Sequence, residues 1–299
     1  MLLELKGITK QFPGVVANDT VSFTLRPGEV HALVGENGAG KTTLMKILYG
    51  LHRPDAGTIS VDDAPIVIRG PRDAIRRGIG MVHQHFMLFP PFTVLENIII
   101  GEESQTAGVL ALARQRKQLQ SLMEENGITV DLDARVEDLP VGVQQRVEIL
   151  KILFRGARIL IFDEPTAVLT PQEADELFRT FNALKSHGKG IIFITHKLDE
   201  VLAVADRITV IRQGKVIRTM DRAGATKPMI AELMVGKPVL MEVDRAVVQP
   251  GRTVVEVRDL KVRTPRGIMA VDGLSFSIRA GEIYGIAGVE GNGQSELVR

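Results

Sequence analysis

The spacing Gly-x-x-x-x-Gly-Lys-Thr, met here as Gly35-Glu36-Asn37-Gly38-Ala39-Gly40-Lys41-Thr42, leaves few folds open, because it needs a strand before it and a helix after it. Both flanks comply. Val30-His31-Ala32-Leu33-Val34 is an apolar run, and residues 43–48 carry apolar side chains at helical spacing. Phosphate oxygens need several N–H donors converging at short range, so such a loop must be glycine-rich; Gly38 and Gly40 supply the backbone freedom. A helix starting near Lys41 aims its positive N-terminus at the same phosphates, Lys41 adds a mobile cation, and the Thr42 hydroxyl is a magnesium ligand. The pattern predicts a nucleoside triphosphate with Mg²⁺.

Length and charge narrow the reading further. At 299 residues the chain is expected to hold about two domains. Its 44% hydrophobic and 24% charged residues are those of an ordinary soluble globular protein, and a net charge of +1 gives no global field for nucleic acid or anionic lipid. The local cluster Arg69, Arg72, Arg76 and Arg77 reads as a solvated helix face. No apolar stretch approaches the roughly 20 residues a membrane span needs, and residues 1–4 meet Lys6 and Gly7 too soon for a signal peptide. The chain is therefore expected to be cytosolic unless partners carry it to a membrane. With zero cysteines, disulfides, thiolate metal sites and cysteine nucleophiles are excluded.

Taken in order, residues 2–8 and 21–25 alternate as half-buried strands ahead of the loop. Between them Phe12 is read as an aromatic in a turn, placed either to stack on a flat base or to lid the small sheet. Strands are predicted at 57–61, 66–68 and 80–84, short helices at 71–77 and from Thr93, and a longer helix ending at Asn126-Gly127. Residues 86–92 are apolar but broken by Pro90 and Pro91; they line a groove for a partner helix or pack in the core. A further helix opens at 139–149. Ile159-Leu160-Ile161-Phe162-Asp163-Glu164 reads as a central parallel strand ending in two carboxylates, at the edge where open α/β sheets bind ligand. Asp163 is a candidate for the Mg²⁺ shell and Glu164 for polarising a water. Residues 190–196 repeat the design with His196 at the strand end, 205–219 form a closing hairpin, and 228–234 a short helix.

This order of motifs resembles the ATP-binding cassette ATPases of ABC transporters. Gly35, Asn37, Gly38, Ala39, Gly40, Lys41, Thr42 and Thr43 fall on their Walker A, Gln84 on the Q-loop, residues 159–163 with Glu164 on Walker B and the catalytic glutamate, and His196 on the switch histidine; Phe12 falls where the family stacks on adenine. Within the family, residues 163–173 and 139–148 are similar to bacterial simple-sugar and, most closely, nucleoside importers. The resemblance implies a P-loop α/β cassette with a mixed core sheet, an N-terminal antiparallel β subdomain and a helical subdomain at about 92–155. It implies catalytic Glu164, His196 and Lys41, Mg²⁺ held by Thr42, Gln84 and Asp163, and ATP hydrolysis that energises import. Its partners would be membrane permeases and, through them, an extracytoplasmic solute-binding protein, with the chain peripheral on the cytoplasmic face of the inner membrane. No nucleic-acid partner is expected.

Such ATPases carry two cassettes in one polypeptide, and the sequence repeats accordingly. Residues 21–29 recur as 274–282 at an offset of 253, and Gly35, Gly38 and Gly40 map onto Gly288, Gly291 and Gly293. The expectation is a first cassette over 1–236, a linker over 237–252 and the truncated, degenerate start of a second over 253–299. Gln294 stands where Lys41 does in the first loop, and replacing a charge-assisted phosphate interaction by a neutral one weakens binding several-fold. The family signature is altered to Leu139-Pro140-Val141-Gly142-Val143, and Thr170 replaces the usual D-loop Asp. Gln294 and the altered signature would fall in one composite site, giving one hydrolytic and one silent site per complete protein, and Thr170 fits such an asymmetric pair. The rival is a soluble tandem-cassette ATPase acting on ribosome or DNA; the short, heptad-free stretch 234–252 argues against it.

Overall fold

The structure, a computed structural model, describes residues 2–83, 86–102, 105–106, 109–110, 112–238, 249–264, 267–288 and 292–298. The chain divides into two compact units, Met1–Val239 and Leu240–Arg299. The first unit opens with strands β1 (Leu3–Phe12), β2 (Val15–Leu25) and β3 (Val30–Val34), helix α1 (Lys41–Leu48), then β4 (Ala56–Val61), β5 (Ala64–Ile66), α2 (Pro71–Arg76) and β6 (Ile79–Val82). Helix α3 (Val94–Ile99), a small hairpin of β7 (Gln105–Thr106) and β8 (Val109–Leu110), α4 (Leu112–Asn126) and α5 (Val141–Phe154) follow. The unit closes with β9 (Ile159–Asp163), α6 (Pro171–Ser186), β10 (Gly190–Ile194), α7 (Leu198–Val204), β11 (Arg207–Arg212), β12 (Lys215–Asp221) and α8 (Lys227–Val235).

Two sheets organise these elements. One is antiparallel, in the order β2-β1-β4-β5; the other runs β12-β11-β3-β10-β9-β6 and is parallel except for the β11–β12 pair. Because successive side chains of a strand face opposite ways, the apolar runs of β9 and β10 serve two cores. Leu160, Phe162, Ile191 and Phe193 pack with Val147 of α5 and Phe181 of α6. Ile159, Ile161, Ile192 and Ile194 pack with Leu44 and Met45 of α1 and with Leu5 and Phe23 of the antiparallel sheet. The predicted central parallel strand is thus buried on both faces. Helices α3 and α4 pack on α5.

Some boundaries differ from the sequence reading. Strands β1 and β2 are longer than 2–8 and 21–25, because irregularities beside Gly7 (φ 62°) and Thr20 (φ 55°) reset the register and hide the alternation. Phe12 accordingly ends β1, paired with Val15, and the turn is Pro13-Gly14. Helix α6 is an addition to the sequence reading, although its local signals are present: Thr170 and Glu173 form a reciprocal capping box, and Leu177, Phe181 and Leu184 line its buried face.

In the second unit β13 (Thr253–Arg263) pairs antiparallel with β14 (Met269–Arg279), and a five-residue helix α9 (Gln294–Val298) packs on β14.

Candidate functional site

Strands β3, β9 and β10 lie side by side, with Leu33 and Asp163 both level with Ile194 of β10. Their C-terminal ends therefore bring the loop after β3, the carboxylates after β9 and His196 to one edge, the ligand edge of an open parallel sheet. A cavity of about 550 Å³ opens there, lined by Phe12, Asn37, Gly38, Ala39, Thr43 and Asp163 among others. Gly40 caps α1 with φ 103°, a left-handed backbone, and a Cβ on it would stand 2.2 Å from the Ala17 carbonyl oxygen. Only glycine fits that approach. The buried Asn18 amide donates to the Gly40 carbonyl at 3.1 Å, tying the loop to β2.

Lys41 begins α1 and is buried; its ammonium donates to the carbonyls of Gly35 at 2.7 Å and Glu36 at 2.9 Å. Burial pulls its pKa below the usual lysine value, while the carboxylates of Glu164 and Asp163 oppose the shift. Asp163 ends β9, and burial pushes its carboxyl upward, reinforced by Glu164 and opposed by a hydrogen bond with Thr42 and the charge of Lys41. Glu164 adopts φ 49°, a costly left-handed conformation for a residue with a side chain, held by its N–H donating to the Ile194 carbonyl at 3.0 Å. That kink leads Glu164 off the strand end, where its Oε1 lies 3.1 Å from His196 Nδ1.

The structure thus gathers Phe12, Asn37, Gly38, Ala39, Gly40, Lys41, Thr42, Thr43, Asp163 and Glu164 around one cavity, with Gly35 reached through the Lys41 hydrogen bond and His196 through Glu164. Gln84 lies outside the described residues. Asn18 and Ala17 are absent from the sequence-predicted site; only the return of the 17–20 stretch beside the loop in the tertiary fold exposes their part. The cavity volume is in the range of small-ligand sites, and the glycine-rich loop that lines it, one buried cation and the N-terminus of α1 suit a polyphosphate. Among the described residues no group of three His, Cys, Asp or Glu side chains could hold a metal alone. Mg²⁺ commonly takes one or two protein oxygens and completes its shell with phosphate and water, so the Thr42 hydroxyl and Asp163 carboxylate fit it.

The family model described as ABC transporter matches residues 18–167. The chain belongs to the ABC transporter family. As an ABC cassette it is 52% identical over 298 residues to the nucleoside import ATP-binding protein NupA of Lactococcus lactis subsp. cremoris, covering 100% of this chain and 59% of that protein. It is 46% identical to the ribose import ATP-binding protein RbsA 1 of Rubrobacter xylanophilus, covering 100% of this chain and 58% of that protein. The chain therefore spans somewhat over half the length of the curated relatives it matches. The crystal structure of the ADP conformation of MJ1267, an ATP-binding cassette of an ABC transporter, superposes with a TM-score of 0.68 at 26% identity, covering 79% of this chain and 99% of that one. No described helix of this cassette is long and apolar enough to cross a membrane.

Proposed function

We propose that this chain is the ATP-binding and hydrolysing part of an importer for nucleosides or simple sugars, acting on membrane permeases from the cytoplasmic face of the membrane. The observation that carries the reading is the convergence of Lys41, Asp163, Glu164 and His196 on one sheet edge, in a chain whose likeness to import ATP-binding proteins runs over its whole length. Lys41 would exchange its two carbonyl partners for the terminal phosphates, and Thr42 and Asp163 would hold Mg²⁺, which supplies charge neutralisation at the phosphates. Glu164 would orient and polarise the attacking water, with His196 holding that carboxylate through its ring nitrogen. Gln84 would link this edge to the helices α3 to α5. An extracytoplasmic binding protein would deliver the solute to the permeases.

The second unit supports a further part of the reading. We infer that residues 253–299 open a second cassette in which Gln294 replaces Lys41, leaving turnover to the first site. A soluble tandem-cassette enzyme acting on ribosome or DNA is less well supported, since the matched relatives are import proteins.

Uptake of labelled nucleosides, pentoses and hexoses tests the assignment, in cells whose only copy of the natural protein is wild type or Lys41→Ala. The variant should lose uptake of one solute class by about a hundredfold, as removal of a transition-state cation does. Unchanged uptake across the panel would remove the importer reading and favour the soluble one.

A further inference from the structure

Away from the nucleotide edge, the first unit holds a cavity of about 390 Å³ between the C-terminal part of α1 and the β4–β5 hairpin. Its floor is apolar: Ile47 of α1, Ile59 of β4 and Ile68 are buried, and Ile66 is half-buried. Among the described residues no strand lies beyond β5, the edge of its sheet. Two exposed arginines, Arg53 and Arg69, stand in the wall. Of the arginines that follow in sequence, Arg76 and Arg77 pair with Asp73. Among the described residues, neither the Arg53 nor the Arg69 guanidinium has a hydrogen-bond or ion-pair partner. The wall is fixed, because Ile68 is buried and the Arg69 N–H donates to Asp73 Oδ2 at 3.1 Å.

An apolar floor of ligand size, bordered by two guanidiniums without partners, has complementarity for one kind of molecule: an apolar body ending in an anionic head. Isolated apolar cavities attract neutral hydrocarbons, and isolated surface arginines attract anions weakly; the combination selects an amphiphile. We propose that this cavity binds a small, soluble amphipathic carboxylate, with its aliphatic or aryl body on Ile47, Ile59 and Ile66 and its carboxylate against Arg53 and Arg69. The occupant would touch the far part of the eight-residue helix whose first residue is Lys41, so it shares one rigid element with the nucleotide. The site stands independently of the importer reading.

Isothermal titration of the 299-residue chain with octanoate, octanol, octyltrimethylammonium and phosphatidylglycerol vesicles tests this. Octanoate should bind saturably at one site, octanol about tenfold more weakly for want of a charge-assisted hydrogen bond to guanidinium, and the cation and vesicles not at all. The double variant Arg53→Gln/Arg69→Gln should weaken octanoate about tenfold and leave octanol unchanged. Val67 lines the same cavity at 71% exposure, so Val67→Glu should fold normally and abolish octanoate binding by placing a carboxylate at the mouth. Absence of octanoate binding, equal binding of octanol and octanoate, or an unchanged affinity in the double variant would overturn the proposal. Vesicle binding with octanoate silent would overturn it too, by making a lipid surface the occupant.

Discussion

Leu3 pairs with Leu25, Leu5 with Phe23 and Ile8 with Val21 in β1–β2; Val255 pairs with Ile278, Val257 with Phe276 and Leu260 with Leu274 in β13–β14. The two hairpins share more than register. Arg26 N–H donates to Glu29 and Arg279 N–H to Glu282 in the turns that follow, and a Cβ on Gly40 or on Gly293 would stand 2.2 Å from the carbonyl of Ala17 or Ala270 respectively. Burial separates them. Leu3, Leu5 and Ile8 are fully buried, whereas Val255 is 45% exposed. In the first unit β4 covers the other edge of β1 and α1 covers its inner face. Among the described residues of the second unit no strand lies on the other edge of β13, and only the five-residue α9 packs on β14. Turn chemistry and cross-strand pairing are thus common to both hairpins, and in the first unit β4 and α1 bury the pair in a core. The loops diverge in charge as well: Lys41 becomes Gln294, and the Asn18 that tethers Gly40 becomes Val271.

If burial is what separates the hairpins, equal truncations should cost unequally. Phe23 is 3% exposed with its ring 4.3 Å from that of His31, so Phe23→Ala should destabilise the first unit by about 4 kcal/mol. Phe276 is half-buried and stacks on Tyr284 at 5.3 Å; Phe276→Ala should cost about 1 kcal/mol. Hydrogen exchange read separately at the amides of β2 and β14 under increasing urea measures both. Equal costs would mean that pairing within the hairpin, not its cover, holds the first unit's sheet.

The glycines sharpen the comparison from the opposite side, because there the backbones agree. Gly40 and Gly293 have φ 103° and 91°, so Gly40→Ala and Gly293→Ala should each strain the local backbone by about 2 kcal/mol. Binding of a fluorescent MgATP analogue should fall sharply in the first variant and stay within twofold in the second. Loss of binding in Gly293→Ala would show that the second loop also holds nucleotide, contrary to the proposed division of labour.

Why some of this is legible in the sequence and some is not follows from where each signal resides. The runs 159–163 and 190–194 are apolar without interruption because both faces are buried, so their place at the sheet centre can be read directly, and with it the convergence of Asp163 and His196 near the phosphate loop. The Lys41 loop announces itself through local backbone need. Asn18 does not: its hydrogen bond to Gly40 spans 22 positions, and nothing around it in sequence marks it. Glu164 is conspicuous for its carboxylate, yet its left-handed backbone is imposed by the neighbouring strand through Ile194. Bulges hide the length of β1 and β2, and the two-residue strands β7 and β8 are too short for alternation to mark.

The smallest effect concerns the charge that distinguishes the two loops. Lys41 has a folded-state pKa below its ordinary value of 10.5 because burial disfavours the ammonium. A depressed pKa means that the group's contribution to stability is present above 10.5 and is lost as pH falls through the folded-state value. At neutral pH the ligand-free protein therefore carries a cost at Lys41, partly offset by Asp163, Glu164 and the two carbonyls it meets. Replacing it by the uncharged Lys41→Met should stabilise the ligand-free chain by about 1 kcal/mol at pH 7 while weakening MgATP binding, the exchange of stability for function common at binding sites. Urea unfolding at pH 7 and pH 10 checks the sign, since the gain should shrink as the wild-type ammonium deprotonates. Gln294→Met, with no charge to remove, should show no such pH-dependent gain. If Lys41→Met is instead less stable at pH 7, the hydrogen bonds to Gly35 and Glu36 outweigh the burial of the charge, and the first loop is held by its lysine even without phosphate.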